Sequence, residues 1–192
     1  MLVHQTFEDR NPPEDPAWAT MVLIPKGKGE FWVIGIVEVA WKVCAAVVNF
    51  RLKPVFVLHD ALHGFRAGQG MGTATPEAKL AQQLSGLAHN PLFQVFLDIY
   101  KVYDSLDRGQ CLEVLRGYGM KPNLAQLLKS YWDRQSIVPK TGNFLGKEFR
   151  TGRGLNQGEP ASPMIFNIVV DAVVRSDLDV LCVTQEAQHG LG

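Results

Sequence analysis

Two stretches of this 192-residue chain combine residue types that can do chemistry. The first is Val95-Phe-Leu-Asp-Ile-Tyr-Lys-Val-Tyr-Asp-Ser-Leu-Asp107. Phe93, Val95 and Leu97 alternate with Gln94, Phe96 and Asp98, a period of two that predicts a strand. Only Asp98 among them is charged, so the strand is expected to be buried on both faces, with Asp98 at its carboxyl end. A carboxylate there is costly unless a metal, a cation or water meets it. The second stretch is Gly152-Arg-Gly-Leu-Asn-Gln-Gly-Glu-Pro-Ala-Ser-Pro-Met-Ile-Phe-Asn167. Its glycines let backbone come close to a ligand. Ser162 as N-cap and Pro163 as first helical residue predict a helix running through Val174, apolar on nearly every side and therefore buried. Gln157 then sits just ahead of a helix N-terminus.

The first stretch resembles the first catalytic motif of reverse transcriptases of the non-LTR retroelement and group II intron type. The second closely resembles their Arg-Gly-x-x-Gln-Gly-x-x-x-Ser-Pro motif, with Arg153, Gly154, Gln157, Gly158, Pro160, Ser162 and Pro163 in register. The resemblance extends from about Trp18 to Arg175. It implies a mixed α/β (α+β) fold, the fingers and part of the palm of a right-hand polymerase. The implied reaction is DNA synthesis on an RNA template. The 3′-hydroxyl of a DNA primer attacks the α-phosphate of a deoxynucleoside triphosphate, and pyrophosphate leaves. Two magnesium ions, or manganese in their place, hold the attacking and leaving oxygens in line.

By the same resemblance Asp98 is the catalytic carboxylate, and Asp98 with Ile99 marks the metal position. Tyr103 is the aromatic that rejects a ribose 2′-hydroxyl. Tyr103, Gln157, Gly158, Lys26 and Arg66 are implied to face the nucleotide. Lys28, Lys140, Lys147, Arg150 and Arg153 are expected to face nucleic acid. Four positions depart from the family pattern, one of them Ala161, where Leu is frequent. Trp32 stands where an Arg usually grips the triphosphate, and an indole offers no charged donor fork. Glu159 stands where Asp or Cys is frequent, and Tyr100 where a basic or polar residue is usual. The family draws its other metal-binding carboxylates from a later Tyr/Phe-x-Asp-Asp hairpin, and this sequence contains no Asp-Asp pair. Asp177 and Asp179 read as surface acids. The expectation is a domain truncated before that hairpin and inactive alone. The alternatives are a non-catalytic nucleic-acid-binding remnant and a degenerate retroelement relic.

The elements that must position these residues are legible in part. Residues 1–17, with three prolines and four acids, read as an extended lead-in. Fingers are expected over 18–91, a palm strand and helix over 92–120, a connection over 121–150, and a palm loop with its buried helix over 151–192. Within the fingers, strands are expected at 21–25 and 31–36 around the basic turn Lys26-Gly-Lys-Gly-Glu30. A helix follows to Leu52 with Trp41, Cys44, Ala45, Val48 and Leu52 on one face, ended by Pro54. Thr75 and Pro76 predict the start of another helix, burying Leu80, Leu84 and Leu87. Ser105 or Asp107 would cap the helix that carries Leu112, Leu115 and Tyr118. Pro122 opens one that carries Leu124, Leu127, Leu128 and Tyr131, with Trp132 read as core. Residues 136–153 read as strands and turns, with a hairpin about Thr141-Gly142-Asn143. His63-Gly-Phe-Arg-Ala-Gly-Gln-Gly70 resembles the family's Gly-Phe-Arg-x-Gly segment, in which Arg66 either faces nucleic acid or bonds loop carbonyls.

Composition supports a packed protein: 46% hydrophobic and 20% charged residues, with zero net charge. Between Lys121 and Arg153 seven Lys or Arg face only Asp133 and Glu148, a local basic excess suited to phosphates. Three scattered cysteines suggest neither a disulfide framework nor a zinc site and fit a reducing compartment. No signal-peptide pattern opens the sequence, and no run of about 18 apolar residues could span a membrane. An intracellular protein without membrane partners is expected. His59 and His63 are spaced for a metal pair but have no third ligand close in sequence. Gly68–Gly72 lacks the spacing of a dinucleotide-binding turn.

Overall fold

The computed structural model describes residues 18–28, 30–94, 96 and 98–189, and for Trp18 and 177–189 the backbone alone. The lead-in expected over 1–17 lies outside the described residues. Four strands form one mixed sheet: β1 (Trp18–Gly27), β2 (Glu30–Val37), β3 (Ser136–Thr141) and β4 (Phe144–Leu145), in the order β2-β1-β3-β4. β1 runs antiparallel to β2 and parallel to β3, and β4 returns antiparallel on β3. Both β-strands of the basic hairpin and the hairpin at Gly142 therefore form as the turn residues predict. Gly142 has φ of +58°, the left-handed conformation that a short hairpin turn demands. Beyond β4 the chain comes back to the sheet, where Ile137 and Phe149 exchange both backbone hydrogen bonds.

The helices are α1 (Val39–Leu52), α2 (Met71–Leu87), α3 (Val102–Ser105), α4 (Arg108–Gly117), α5 (Pro122–Arg134) and α6 (Ser162–His189). In α1 the Glu38 carboxylate accepts the Ala40 N–H at 2.6 Å, and the expected stripe from Trp41 to Leu52 is buried throughout. Asp107 caps α4 by accepting the Gln110 N–H at 2.9 Å. The chain divides into two compact units. One comprises residues up to Val57 with Lys101–Val169, and the other Leu58–Tyr100 with the chain from Val170 onward. The core of the first is built from α1, α4, α5 and the start of α6. Leu115, Leu127, Leu128, Ile165 and Ile168 are buried, and the Trp41 and Tyr131 rings stack with centroids 3.6 Å apart at 11°. Trp132 belongs to this core.

Several expectations are corrected. The described residues between 93 and 98 form no strand, and Phe93 and Phe96 are 88% and 90% exposed; Val95 and Leu97 lie outside the described residues. An alternating pattern supplies faces for a strand, but the strand itself needs a neighbour to complete its ladder, and none of the described strands pairs there. α2 starts at Met71, before Thr75. The Thr73 hydroxyl accepts the Gly70 N–H at 3.0 Å and donates to the Gly70 carbonyl at 2.8 Å, fixing the entry, so Pro76 falls inside the helix. Leu80, Leu84 and Leu87 are 53%, 56% and 79% exposed rather than buried. α6 is not buried on every side either: Val173 is 54% exposed, while Asn167 and Asp171 lie on the buried face.

Candidate functional site

The two conspicuous stretches meet in the first unit through backbone. The Leu155 N–H donates to the Tyr103 carbonyl and the Gly154 N–H to the Leu106 carbonyl, each at 2.8 Å. Gly154 has φ of +86°, and a Cβ there would stand 3.0 Å from the Asp104 carbonyl oxygen and 3.1 Å from that of Tyr103. Three residues on, the Gly35 N–H of β2 donates to the Gln157 carbonyl at 2.8 Å. Gly158 follows with φ of +107°, and a Cβ on it would lie 2.5 Å from the Gly35 carbonyl oxygen. Only glycine fits either place. The loop from Gly154 to Gly158 thus bridges the α3 segment and β2. Tyr103 is half-buried, its ring 5.3 Å from that of Phe166, and burial raises its phenol pKa. Gln157 and Gly158 are exposed. Trp32, earlier on β2, is half exposed. Lys26 and Lys28 are exposed at the β1–β2 hairpin, Lys26 lying 3.8 Å from Glu30.

Behind this loop runs a buried polar chain. The Trp41 indole N–H donates to Glu159 Oε1 at 2.9 Å, while Glu159 Oε2 has no hydrogen-bond partner. Burial pushes the Glu159 carboxyl up to about 7, against the opposing pull of the Trp41 hydrogen bond and the Arg108 charge. Tyr131, stacked on Trp41, accepts from Gln135 Nε2 at 2.9 Å, and burial raises its phenol pKa strongly. Gln135 Oε1 in turn accepts from Arg108 at 2.8 Å. The Arg108 guanidinium also donates to the carbonyls of Gly154, Thr151 and Trp132 and to the Thr151 hydroxyl, at 2.8 to 3.1 Å. All five of its N–H donors are thereby engaged. Its pKa is lowered, by burial first, yet an arginine stays charged. Sequence reasoning missed Arg108, whose only local sign is its place after the Asp107 cap. Ser162 does not cap α6: it is the first helical residue, its hydroxyl lacks a partner, and Ala161 accepts the Ile165 N–H at 3.0 Å. Asn49 of α1 reaches the loop by donating to the Pro160 carbonyl at 3.1 Å.

In the second unit Asp98 and Ile99 are exposed and outside any strand. Arg66 donates through Nη1 to the carbonyls of His59 and Leu62 at 2.8 and 3.0 Å, the structural arrangement weighed for it above. His63 has Nδ1 2.8 Å from the Thr73 hydroxyl and Nε2 3.0 Å from Glu77. Asp171 is buried; its carboxylate accepts the His59 N–H at 2.6 Å and Arg175 Nε at 2.7 Å, a role the sequence did not suggest. Lys140, Lys147, Arg150 and Arg153, in the first unit, are all exposed. Among the described residues no group of three or more His, Cys, Asp or Glu could hold a metal ion, so Asp98 has no described partners for that task. No described helix is long and apolar enough to cross a membrane.

Residues 24–183 match the profile of the family described as reverse transcriptase (RNA-dependent DNA polymerase). The retrovirus-related Pol polyprotein from type-2 retrotransposable element R2DM of Drosophila melanogaster is 25% identical over 171 residues, covering 86% of this chain and 16% of that protein. The Pol polyprotein from type-1 retrotransposable element R2 of Nasonia vitripennis is 25% identical over 159 residues, covering 80% of this chain and 16% of that protein. Its counterpart in Popillia japonica is 30% identical over 94 residues, 48% of this chain and 15% of that protein. The chain therefore spans a small fraction of the curated relatives it matches.

Proposed function

Because the chain belongs to the reverse transcriptase (RNA-dependent DNA polymerase) family, we propose that it forms the fingers and the first part of the palm of a retroelement polymerase that copies RNA into DNA. The fingers would comprise 18–91 and the palm 92–120 and 151–192, with 121–150 as the connection between fingers and palm. One observation carries the assignment of the nucleotide side. Backbone hydrogen bonds of 2.8 Å tie the Tyr103 carbonyl to Leu155 and the Gln157 carbonyl to Gly35. Tyr103, positioned to test the sugar, and the Gln157–Gly158 turn are thus held on one short loop beside β2. Trp32 offers an aromatic face on that strand where the family pattern has a guanidinium.

Asp98 is proposed as one metal-holding carboxylate, beside Ile99. The described residues do not complete a donor set for a divalent ion, and no reaction step is assigned through one. Template RNA and DNA primer are the proposed partners, with Lys28, Lys140, Lys147, Arg150 and Arg153 as exposed charges for their phosphates.

Primer extension on an RNA template tests this. The 192-residue chain alone is expected to extend nothing, and the same chain within a polypeptide that supplies a Tyr/Phe-x-Asp-Asp hairpin and a thumb is expected to extend, losing activity with Asp98→Asn. Robust magnesium-dependent extension by the chain alone, abolished by Asp98→Asn, would sink the account of an incomplete donor set. Persistent activity of the longer Asp98→Asn protein would remove Asp98 from the site. Salt-dependent strand binding without extension in either form, weakened by charge reversal at Lys140, Lys147 and Arg150, would favour a non-catalytic binding module.

A further inference from the structure

Resting on the nucleotide role proposed for Gln157 and Gly158, we propose that Glu159 is a positioning residue: its buried carboxylate, held by Trp41, keeps the Gln157–Gly158 turn seated on Gly35 of β2. The turn is held at both ends by neighbouring stretches of chain. On one side the Gly35 N–H bonds the Gln157 carbonyl at 2.8 Å; on the other the Trp41 indole, from α1 just beyond β2, bonds Glu159 Oε1 at 2.9 Å. Gly158 lies between them, where the Gly35 carbonyl leaves no room for a side chain. A buried indole N–H needs an acceptor, and an apolar side chain at 159 would leave it unpaired.

The second carboxylate oxygen explains how the hold can be released. Glu159 Oε2 is buried and unpartnered, so an ionised carboxylate would face protein interior at that atom. The charged and titratable groups around it are Arg108 on α4 and Tyr131 on α5. Arg108 commits its donors to Gln135, Thr151, Gly154 and Trp132 and none to Glu159. The uncharged acid is therefore the form that fits, consistent with a carboxyl pushed up to about 7. The turn is seated most firmly below the ordinary carboxyl value of 4.5 and loosens progressively as pH rises from there through about 7.

Amide exchange and NMR shifts of the 192-residue chain read this without any nucleotide. In the wild type the Gly35 amide shift is expected to titrate near pH 7, and its exchange protection, corrected for the intrinsic rate, to fall as pH rises from about 5 through 7 and level off beyond. Glu159→Gln keeps an acceptor for Trp41 and carries no charge; it should abolish the titration and keep Gly35 protected at every pH. Trp41→Phe should cut Gly35 protection about tenfold at every pH, the worth of one hydrogen bond, while the Val22 and Ile34 amides, paired across β1 and β2, hold. The proposal is overturned if Gly35 protection is indifferent to both substitutions, if the titration survives Glu159→Gln, or if protection drops equally at all sheet amides. Template, primer, deoxynucleoside triphosphate and magnesium added to the longer polypeptide that supplies the hairpin and thumb report on the reading beneath it. Unchanged Tyr103 and Gln157 signals with an intact Gly35 titration would refute the nucleotide role and leave the positioning role standing.

Discussion

α1 and α2 carry the same kind of sequence signal and meet opposite fates. Each shows apolar residues at helical spacing. The α1 stripe is wholly buried, and Trp41 at its start stacks on Tyr131 and bonds Glu159. The α2 stripe of Leu80, Leu84 and Leu87 is exposed, and none of that helix's residues is buried. Periodicity states which face would be covered; it does not supply the cover. What separates the two is the polar chemistry at the end of the stripe. α1 presents an indole N–H and an amide, both used by the loop at 159–160, whereas the polar contacts of α2 go to the chain just before and after it, at Gly70, His63, Asn90 and Gln94.

The sharpest way to break this contrast is Arg108→Met. It strands the acceptors on Gln135, Thr151, Gly154 and Trp132, and a loss of about 4 kcal/mol or outright unfolding is expected in urea titration. A loss under about 1 kcal/mol would mean the network is dispensable. Leu115→Ala should cost about 3 kcal/mol in the same titration, for a side chain fully buried in the first unit. Leu84→Ala should cost no more than about 0.5 kcal/mol; equal losses at the two sites would erase the distinction drawn between the helices.

Between these lies a pH effect. Glu159 holds its proton more tightly folded than unfolded, because its pKa is raised from 4.5 to about 7. Its stabilising contribution is complete below the unfolded value and is lost as pH rises through the folded one, a span of at most about 3 kcal/mol. Thermal melts from pH 5 to pH 8 should show that decline in the wild type and a flatter profile in Glu159→Gln. Parallel profiles would place the proton elsewhere.

The legible parts of the molecule were those set by local chemistry. Gly142 in a positive-φ turn, Asp107 as a cap and the α1 stripe each follow from a residue and its near neighbours. Tyr103 and Gln157 were marked by motif spacing, though nothing in the spacing said that Leu155 and Gly35 would tie them together. Most of the failures were non-local. Alternation at 93–98 looked like a strand because a strand's pattern is written in one segment and its hydrogen bonds in another. Thr75–Pro76 is a sound helix start, but the reciprocal bonds of Thr73 with Gly70 moved the start upstream. Arg108 and Asp171 are ordinary helix residues in sequence, and only tertiary packing gives them buried partners.

The bond between Gly35 and Gln157 also bears on how the protein behaves in solution. Among the described strands β2 lies at an edge of the sheet, and Phe31, Trp32, Ile34 and Ile36 along it are exposed. An open apolar edge of that kind is a template on which a second chain can add a strand and begin to aggregate. The Gln157 carbonyl occupies the Gly35 N–H in the middle of that edge, so an incoming strand cannot pair along its full length. The Gln157–Gly158 turn thereby blocks self-association along that edge, and unseating it is expected to appear first as turbidity.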